Sequence, residues 1–308
     1  MRACAVLTLA ATLLAAAPPQ RRQRIYIPVW AAGEGKVEAQ TLAATLNGEK
    51  ARVVDVRSPG EDLLLVVVLD VTGDLATVDP AREALVAEIA KLPDNSRVAV
   101  MRAQDGLSVV LDPSSDRAAI GEAIRGVPST GKAGLLETVE DVEQVADAVL
   151  TKYRVRASVL YVTDSDISNY REDFTNPVIN SSDSSDLSRR FPEGLIQDKI
   201  NRLAARVSTR QAPLFIVHLE YRSDRLNEAY QIGLKKLAEA TAGTAEFCRS
   251  LADIPPSLDA AFRKIVSHYT VAIELPMKPK KVLEIGLAET GKEKSSLSYR
   301  TRVAWKQE

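Results

Sequence analysis

The stretch "DLLLVVVLDVTGDL" (residues 62–75) decides the fold class. Seven aliphatic residues run from Leu63 to Leu69, and Asp70 ends the run. A Val-rich apolar run of this length between turn residues is typical of a strand buried on both faces, as in a parallel sheet. Ligands of open α/β sheets bind just beyond the carboxyl ends of such strands. The polar residues that follow the run therefore mark a candidate site.

Three later stretches repeat this pattern of an apolar strand. The predicted strands at about 63–69, 97–102, 157–163 and 213–219 alternate with segments in which apolar residues recur at helical spacing. Such alternation indicates βαβ units and a doubly wound, mostly parallel sheet flanked by helices. We therefore predict a Rossmann-like α/β fold with these strands parallel, central and buried. Gly243 is the expected C-cap of the helix before the last short strand.

Both ends of the chain are β-rich and lie outside this α/β core, which we place at residues 61–268. Residues 18–60 contain Asn47-Gly48, a strong hairpin signal, and residues 269–308 alternate apolar and polar side chains. Isolated hairpins are marginal on their own. We therefore predict that the two ends pair into one small β-rich subdomain. The alternative is that each end only adds edge strands.

Charge balance and the first residues limit the partners and the location. The 308 residues include 40 basic and 41 acidic side chains, for a formal net charge of −1. This balance argues against nucleic acid or an anionic membrane as the main partner. Residues 1–17 have the pattern of a signal peptide, with Arg2 before an apolar segment at 3–14. We expect a periplasmic or secreted protein, with membrane contact only if that segment stays uncleaved.

Three polar segments carry a resemblance to a known domain. "VVVLDVTGDL" contains Asp70, Thr72 and Asp74; "VPSTGKAGLLETVEDV" contains Thr130; and "VLYVTDSD" places Asp164 after its strand. Together they resemble the von Willebrand factor type A (VWA) domain, whose D-x-S-x-S, Thr and Asp loops form a metal-ion-dependent adhesion site. The later part of the chain, through "VSHYTVAIEL", is similar to bacterial exported proteins called VWFA-related. The resemblance implies that the three loops meet at the carboxyl edge of the sheet.

The resemblance also implies a divalent cation with oxygen ligands from Asp70, Thr72, Asp74, Thr130 and Asp164. Mg²⁺ prefers such ligands and keeps several waters. The chain departs from the motif, because Asp74 replaces the second Ser and Ser165 and Asp166 follow Asp164. The carboxylates either attract a cation (Mg²⁺, Mn²⁺ or Ca²⁺) or belong to a degenerate, empty site. In an empty site, we expect Asp70→Ala to relieve repulsion and stabilise the fold.

The functional hypothesis is a noncatalytic, exported module that binds a protein partner at the carboxyl edge of the sheet. The alternative is a metal-free structural or scaffolding protein, and a hydrolase is a weaker hypothesis. The chain has two histidines, His218 in an apolar strand and His268 at a helix end, and neither accompanies a nucleophile-elbow serine. "GVPSTGKA" has Ala133 where a P-loop needs Ser or Thr, so we expect no nucleotide.

Overall fold

The computed structural model describes residues 23–32, 36–170, 193–290 and 297–305. The signal-peptide prediction for residues 1–17 falls outside them. The helices in these ranges are α1 (Leu75–Ala90), α2 (Arg117–Gly126), α3 (Leu135–Lys152), α4 (Glu193–Val207), α5 (Arg225–Glu239) and α6 (Ile254–Ser267). None of these helices has the length and apolar character that crossing a membrane requires. The strands are β1 (Arg24–Ala31), β2 (Leu42–Leu46), β3 (Glu49–Ala51), β4 (Val53–Arg57), β5 (Leu63–Asp70), β6 (Ser96–Arg102), β7 (Ser108–Ser114), β8 (Arg156–Thr163), β9 (Leu214–His218), β10 (Ala245–Phe247), β11 (Tyr269–Glu274), β12 (Val282–Glu289), β13 (Leu297–Tyr299) and β14 (Arg302–Ala304).

Six strands form the central sheet in the order β10-β9-β8-β5-β6-β7. Neighbouring strands from β10 to β6 are parallel, and β7 at the edge is antiparallel to β6. The chain therefore winds outward in both directions from β5 and β8, as in a doubly wound fold. The inner strands β9, β8, β5 and β6 are the four predicted from their apolar runs. Their parallel, central placement confirms the predicted fold class.

The side chains of β5 alternate between two hydrophobic clusters. Leu64, Val66 and Val68 pack with residues of α3, α4 and α5 on one face of the sheet. Leu65 and Val67 pack with residues of α1, α2 and α6 on the other face. Every residue of β5 is buried, because helices cover both faces. This double burial explains why the run is continuously apolar instead of alternating.

The two chain ends form a pair of antiparallel sheets, here called the sandwich. One sheet has the order β13-β1-β11-β4 and the other β14-β12-β2-β3. N-terminal β1 pairs with C-terminal β11, and β2 pairs with β12. A third hydrophobic cluster combines residues of both sheets. The predicted pairing of the two ends is confirmed, and the alternative of separate edge strands is wrong.

The hairpin between β2 and β3 forms where the sequence predicted it. Asn47 has φ of 53° and Gly48 has φ of 84°. Two-residue hairpin turns of type I′ require positive φ at both central positions, and Asn-Gly is the pair that tolerates it best. Local sequence therefore determines this turn and, with it, the register of Leu46 opposite Glu49.

Three buried arginines lie against the C-terminal ends of helices. Arg57 donates to a carbonyl in the last turn of α3 at 3.0 Å. Arg156, at the start of β8, donates to carbonyls at the end of α6 at 3.0 and 3.1 Å. Arg300, between β13 and β14, donates to Ser208 O just beyond α4 at 3.1 Å. Helix C-termini carry partial negative charge, so Arg57 and Arg300 attach the sandwich to the helices of the α/β core.

A buried acidic pair faces one of these arginines. Glu143 on α3 is fully buried, and neither of its carboxyl oxygens has a hydrogen bond. Burial and the neighbouring Asp147 raise the pKa of Glu143 well above its ordinary value, although Arg300 and Arg210 oppose the shift. Asp147 accepts two backbone N–H groups, yet burial still raises its pKa to about 6. Both acids therefore hold protons more readily in the folded state than in the unfolded chain.

The end of α5 differs from the prediction. Ala242, with φ of 71°, adopts the left-handed conformation that we expected of Gly243. Ala242 N–H donates to Glu239 O at 3.1 Å and Gly243 N–H to Ala238 O at 3.0 Å, the bonds of a Schellman cap. Gly243 is required for another reason, because a Cβ there would lie 1.7 Å from Leu214 O. The left-handed residue of the cap therefore lies one position before Gly243, and the glycine itself is needed where the backbone passes close to Leu214.

We expect Ala242→Gly to raise the free energy of unfolding by about 0.5–1 kcal/mol, since glycine removes the strain of a left-handed alanine. Gly243→Ala should lower it by about 3 kcal/mol or more, because β9 cannot yield to the new methyl group. Urea denaturation of both variants checks the pair. Replacing alanine by glycine in a helix interior lowers the free energy of unfolding by about 1 kcal/mol, and such a loss in Ala242→Gly would contradict the cap assignment.

The buried carboxyl of Glu143 predicts a pH-dependent effect of Glu143→Gln. Folding raises the pKa of Glu143, so protonation of this residue favours the folded state. This contribution to stability is fully present below the ordinary pKa of 4.5, and it is lost as the pH rises through the pKa of the folded state. Glutamine cannot ionise, so the variant should gain about 1–3 kcal/mol relative to the native chain between pH 4.5 and neutral pH. Chemical denaturation across this range measures the gain. The control is Glu122→Gln on the exposed face of α2, for which we expect no change of the stability difference with pH. The same pH dependence in both variants would refute the argument.

Candidate functional site

The candidate site lies where β5 and β8 end, at the point from which the sheet winds outward in both directions. Asp70 is the last residue of β5, and Asp164 directly follows β8. The strands are neighbours, and the N–H of Asp164 donates to Asp70 O at 3.4 Å. Both residues therefore lie at the carboxyl edge of the sheet, where open α/β folds bind ligands.

Asp70 is fully buried, and its carboxylate accepts three hydrogen bonds. Oδ1 accepts from Gly134 N–H at 2.8 Å, and Oδ2 accepts from Leu135 N–H at 3.2 Å and from the Thr163 hydroxyl at 3.1 Å. Gly134 is the N-cap of α3 and offers no side-chain acceptor, so Asp70 caps this helix from the neighbouring strand. Burial raises the pKa of Asp70 to about 6, against the opposing effect of these donors and with a further contribution from Asp164.

Asp164 holds the loop between β5 and α1. Its Oδ1 accepts from Thr72 N–H at 2.8 Å, and its Oδ2 accepts from Gly73 N–H at 2.7 Å. The Thr72 hydroxyl lies 3.4 Å from Oδ1. A Cβ at position 73 would lie 2.7 Å from Oδ2, so the approach of the carboxylate requires glycine. The end of β8 therefore determines where residues 71–74 lie.

The other two residues of the predicted set are exposed. Asp74 is the N-cap of α1, and its Oδ1 accepts from Ala76 N–H at 2.9 Å. Thr130 lies in the loop between α2 and α3 and makes no hydrogen bond with a described residue. No hydrogen bond joins either of them to Asp70 or Asp164. The structure therefore links Asp70, Thr72 and Asp164 closely, and leaves Asp74 and Thr130 at the solvent side of the edge.

These contacts bear on the predicted cation. Among the described residues, no group of three or more Asp, Glu, His or Cys side chains is placed to hold a metal ion. The oxygens of Asp70 and Asp164 face N–H and hydroxyl donors, whereas Mg²⁺ requires several oxygen ligands arranged around one point. In this geometry the residues do not fit a shared cation, and the function proposed below uses no metal. Binding of Mg²⁺, Mn²⁺ or Ca²⁺ stays a prediction of the sequence.

The expected negative cluster is also partly neutralised. Asp166 lies 2.5 Å from the guanidinium of Arg222, which in turn lies 3.0 Å from Glu220. Asp166 Oδ1 also accepts from Ser168 N–H at 2.8 Å. Sequence reasoning placed Asp166 among the acids of the site but had no means of placing Arg222, which follows a different strand. Asp166 is therefore ion-paired, although it shares the guanidinium of Arg222 with Glu220.

A buried chain of hydroxyl groups supports the site and was missed by the sequence analysis. Thr163 Oγ1 lies 2.7 Å from Ser165 Oγ, which lies 2.8 Å from Tyr230 OH on α5. Nε2 of His218 lies 2.7 Å from Ser165 O, so this nitrogen carries the ring proton. The placement of Thr163 and Ser165 on either side of Asp164 was the available signal. Tyr230 and His218 lie far from these residues in sequence, so only the folded structure places them next to Ser165.

Comparisons with known proteins give structural likeness only. No protein-family model matches the chain, and no curated protein matches its sequence. A von Willebrand factor type A structure from Catenulispora acidiphila has a TM-score of 0.47 and 12% identity, over 92% of this chain and 74% of that chain. The SpRpn10 VWA domain has a TM-score of 0.40 and 12% identity, over 63% of this chain and 93% of that chain. The PilB minor pilin from Streptococcus sanguinis has a TM-score of 0.48 and 10% identity, over 68% and 62%. The fold assignment rests on the strand order of the chain itself.

We expect Asp70→Ala to lower the free energy of unfolding by about 2–5 kcal/mol, because two helix N–H groups and a hydroxyl lose their buried acceptor. The hydrogen bonds that Asp70 accepts therefore lead us to expect that Asp70→Ala destabilises the fold, whereas charge repulsion alone predicts that it stabilises the fold. Asp74→Ala, which removes an exposed N-cap, should cost about 1 kcal/mol. Thermal unfolding of both variants, with and without Mg²⁺, makes the measurement. An Asp70→Ala protein more stable than the native chain would contradict the capping role, and a Mg²⁺-dependent rise that Asp70→Ala abolishes would establish the predicted cation.

Proposed function

We propose that this protein is a noncatalytic interaction module that binds a protein partner at the carboxyl edge of its central sheet. One observation carries the proposal: the loops that follow β5 and β8 and the start of α3 are joined through Asp70 and Asp164. Loops fixed in this way present a surface of constant shape, which lowers the entropy lost on binding. Function concentrates on loops that a rigid scaffold positions.

The exposed residues of this edge have the composition of a small protein-binding surface. Leu75, in the first turn of α1, is 53% exposed. Asp74 lies beside it in the chain, and Thr130 and Lys132 lie in the loop that leads to α3. Protein interfaces combine an apolar contact with a polar rim that sets orientation. We therefore assign Leu75 the central contact and Asp74 and Thr130 the rim.

A binding role also agrees with the state of the two histidines. His218 is buried, and desolvation lowers its pKa. His268 is fully buried, desolvation lowers its pKa to about 3, and its Nδ1 lies 2.8 Å from Ile265 O. Neither ring faces the exposed edge, so neither can serve a bound substrate as general base from its present position. This supports a noncatalytic function over the hydrolase hypothesis.

A metal-free structural or scaffolding role is the second candidate. It is favoured by the same hydrogen bonds of Asp70 and Asp164, because joining β5, β8 and α3 is a structural role that needs no partner at the edge. In that case the edge is stable by itself and another surface binds. Export of the chain, as residues 1–17 predict, is part of both proposals.

Photo-crosslinking at the proposed contact residue tests the edge. A photoreactive amino acid at position 75 or 130 should yield the same discrete heterologous adduct in the exported fraction of the producing cell. The matched control is position 232, since Ile232 on α5 is also apolar and 57% exposed. We expect no such adduct from position 232 and a loss of about tenfold or more when Asp74→Arg is added, since the rim sets orientation. Equal adducts from positions 75 and 232 would favour the scaffolding role.

A further inference from the structure

The segment from the end of β11 to the first residue of β12, residues 275–282, combines exposed apolar side chains with lysines that no described residue pairs. We call it the basic loop; its sequence is "LPMKPKKV". Met277 is 88% exposed and Val282 is 45% exposed. Lys278, Lys280 and Lys281 are exposed, and none of them has an ion pair or side-chain hydrogen bond with a described residue. Neither feature contributes to the packing of the sandwich.

The backbone of the basic loop is held at both ends. Leu275 N–H donates to Gln23 O at 2.9 Å, and Trp305 N–H donates to Lys281 O at 2.7 Å. Pro276 and Pro279 restrict φ between these two points. The apolar tip and its lysines are therefore presented in a defined conformation, and little backbone entropy is lost when a ligand binds them.

Neighbouring strand ends extend the positive surface. The β1–β11 register places Arg24 opposite Glu274, and Glu274 N–H donates to Arg52 O at 2.9 Å. Both arginines are exposed. The Arg52 guanidinium lies 3.9 Å from the Glu274 carboxylate, so these strand ends carry two exposed arginines and one acidic residue. This end of the sandwich therefore carries an excess of positive charge although the whole chain is nearly neutral.

We propose that the basic loop docks on the surface of an anionic lipid bilayer, with Met277 and Val282 entering the headgroup region. Unpaired lysines are attracted to anionic headgroups, and an exposed apolar side chain beside them gains free energy by leaving water. The lysine stems can lie along the interface while their ammonium groups reach the phosphates. Nucleic acid fits less well, because single strands stack on aromatic side chains and residues 275–282 contain none.

The proposal concerns a different surface from the carboxyl edge and does not rest on the function proposed there.

Sedimentation with lipid vesicles tests the basic loop in the full chain. The probes are neutral phosphatidylcholine vesicles and vesicles with roughly one-third phosphatidylglycerol. Any binding that does not depend on headgroup charge contributes to both, so the ratio of the two partition coefficients measures the headgroup attraction. We expect a ratio on the order of a hundred near 0.05 M NaCl and a ratio near one at about 0.5 M, because salt screens the lysines.

Variants separate the basic loop from the rest of the surface. Replacing Lys278, Lys280 and Lys281 by Gln should bring the ratio to within a few-fold of one, since each lysine contributes about fivefold. Met277→Ser should weaken binding to anionic vesicles several-fold and leave its salt dependence unchanged. The matched control replaces a triad of exposed lysines elsewhere, Lys152, Lys235 and Lys236.

Three outcomes would overturn the proposal. The first is a ratio near one for the native chain. The second is an equal loss in the control triple variant, which would assign the attraction to overall charge. The third is salt-sensitive binding to a single-stranded RNA oligonucleotide that depends on the same three lysines while vesicles are not bound.

Discussion

Burial of β5 on both faces is the constraint from which the rest of the α/β core follows. Every residue of this strand is buried, so helices must cover each face and the polar residue that ends the strand must find its donors inside the protein. Asp70 finds them at the first N–H groups of α3 and at Thr163 on β8. These bonds join β5, β8 and α3 at one point. An unsatisfied carboxylate in that position would cost several kcal/mol, about the size of the net stability of many domains.

Buried charges at the two edges of the sheet follow the direction of the helix dipoles. In a doubly wound fold, helices that follow parallel strands begin at the carboxyl edge and end at the amino edge. Carboxylates are stabilised by helix N-termini, and Asp70 lies at the N-terminus of α3. Guanidinium groups are stabilised by helix C-termini, and Arg57, Arg156 and Arg300 lie there. Glu143 and Asp147, buried within α3, do not follow this rule; burial raises the pKa of both, and Glu143 has no hydrogen bond.

The near-neutral charge of the whole chain conceals two surfaces of different chemistry. At the carboxyl edge, Arg222 offsets Asp166, and the exposed residues combine Leu75 with polar side chains. At the far end of the sandwich strands, the basic loop carries around Met277 three exposed lysines that have no ion pair within the described part of the chain. We propose a protein partner for the first surface and an anionic bilayer for the second. A sum of charges over 308 residues could not distinguish them, because charges attract through their local arrangement.

The sequence by itself determined the four buried strands, the Asn47-Gly48 turn, and the placement of Asp70 and Asp164 after two of those strands, because these depend on local pattern. The pairing of the β-rich ends joins residues far apart, yet it too was predictable, because neither end is stable alone. The sequence-based prediction failed at Gly243. A glycine can serve either a left-handed cap or a close backbone contact, and only the packing against Leu214 O shows that the second applies here. The sequence also could not supply the donors of Asp70, the pairing of Asp166 with Arg222, or the reach of Tyr230 into the hydroxyl chain. Each of these joins residues far apart in the chain, and their hydrogen bonds decide the sign of a carboxylate's contribution to stability. That sign was left to the tertiary structure, because a buried charge is favourable or costly according to the donors that surround it.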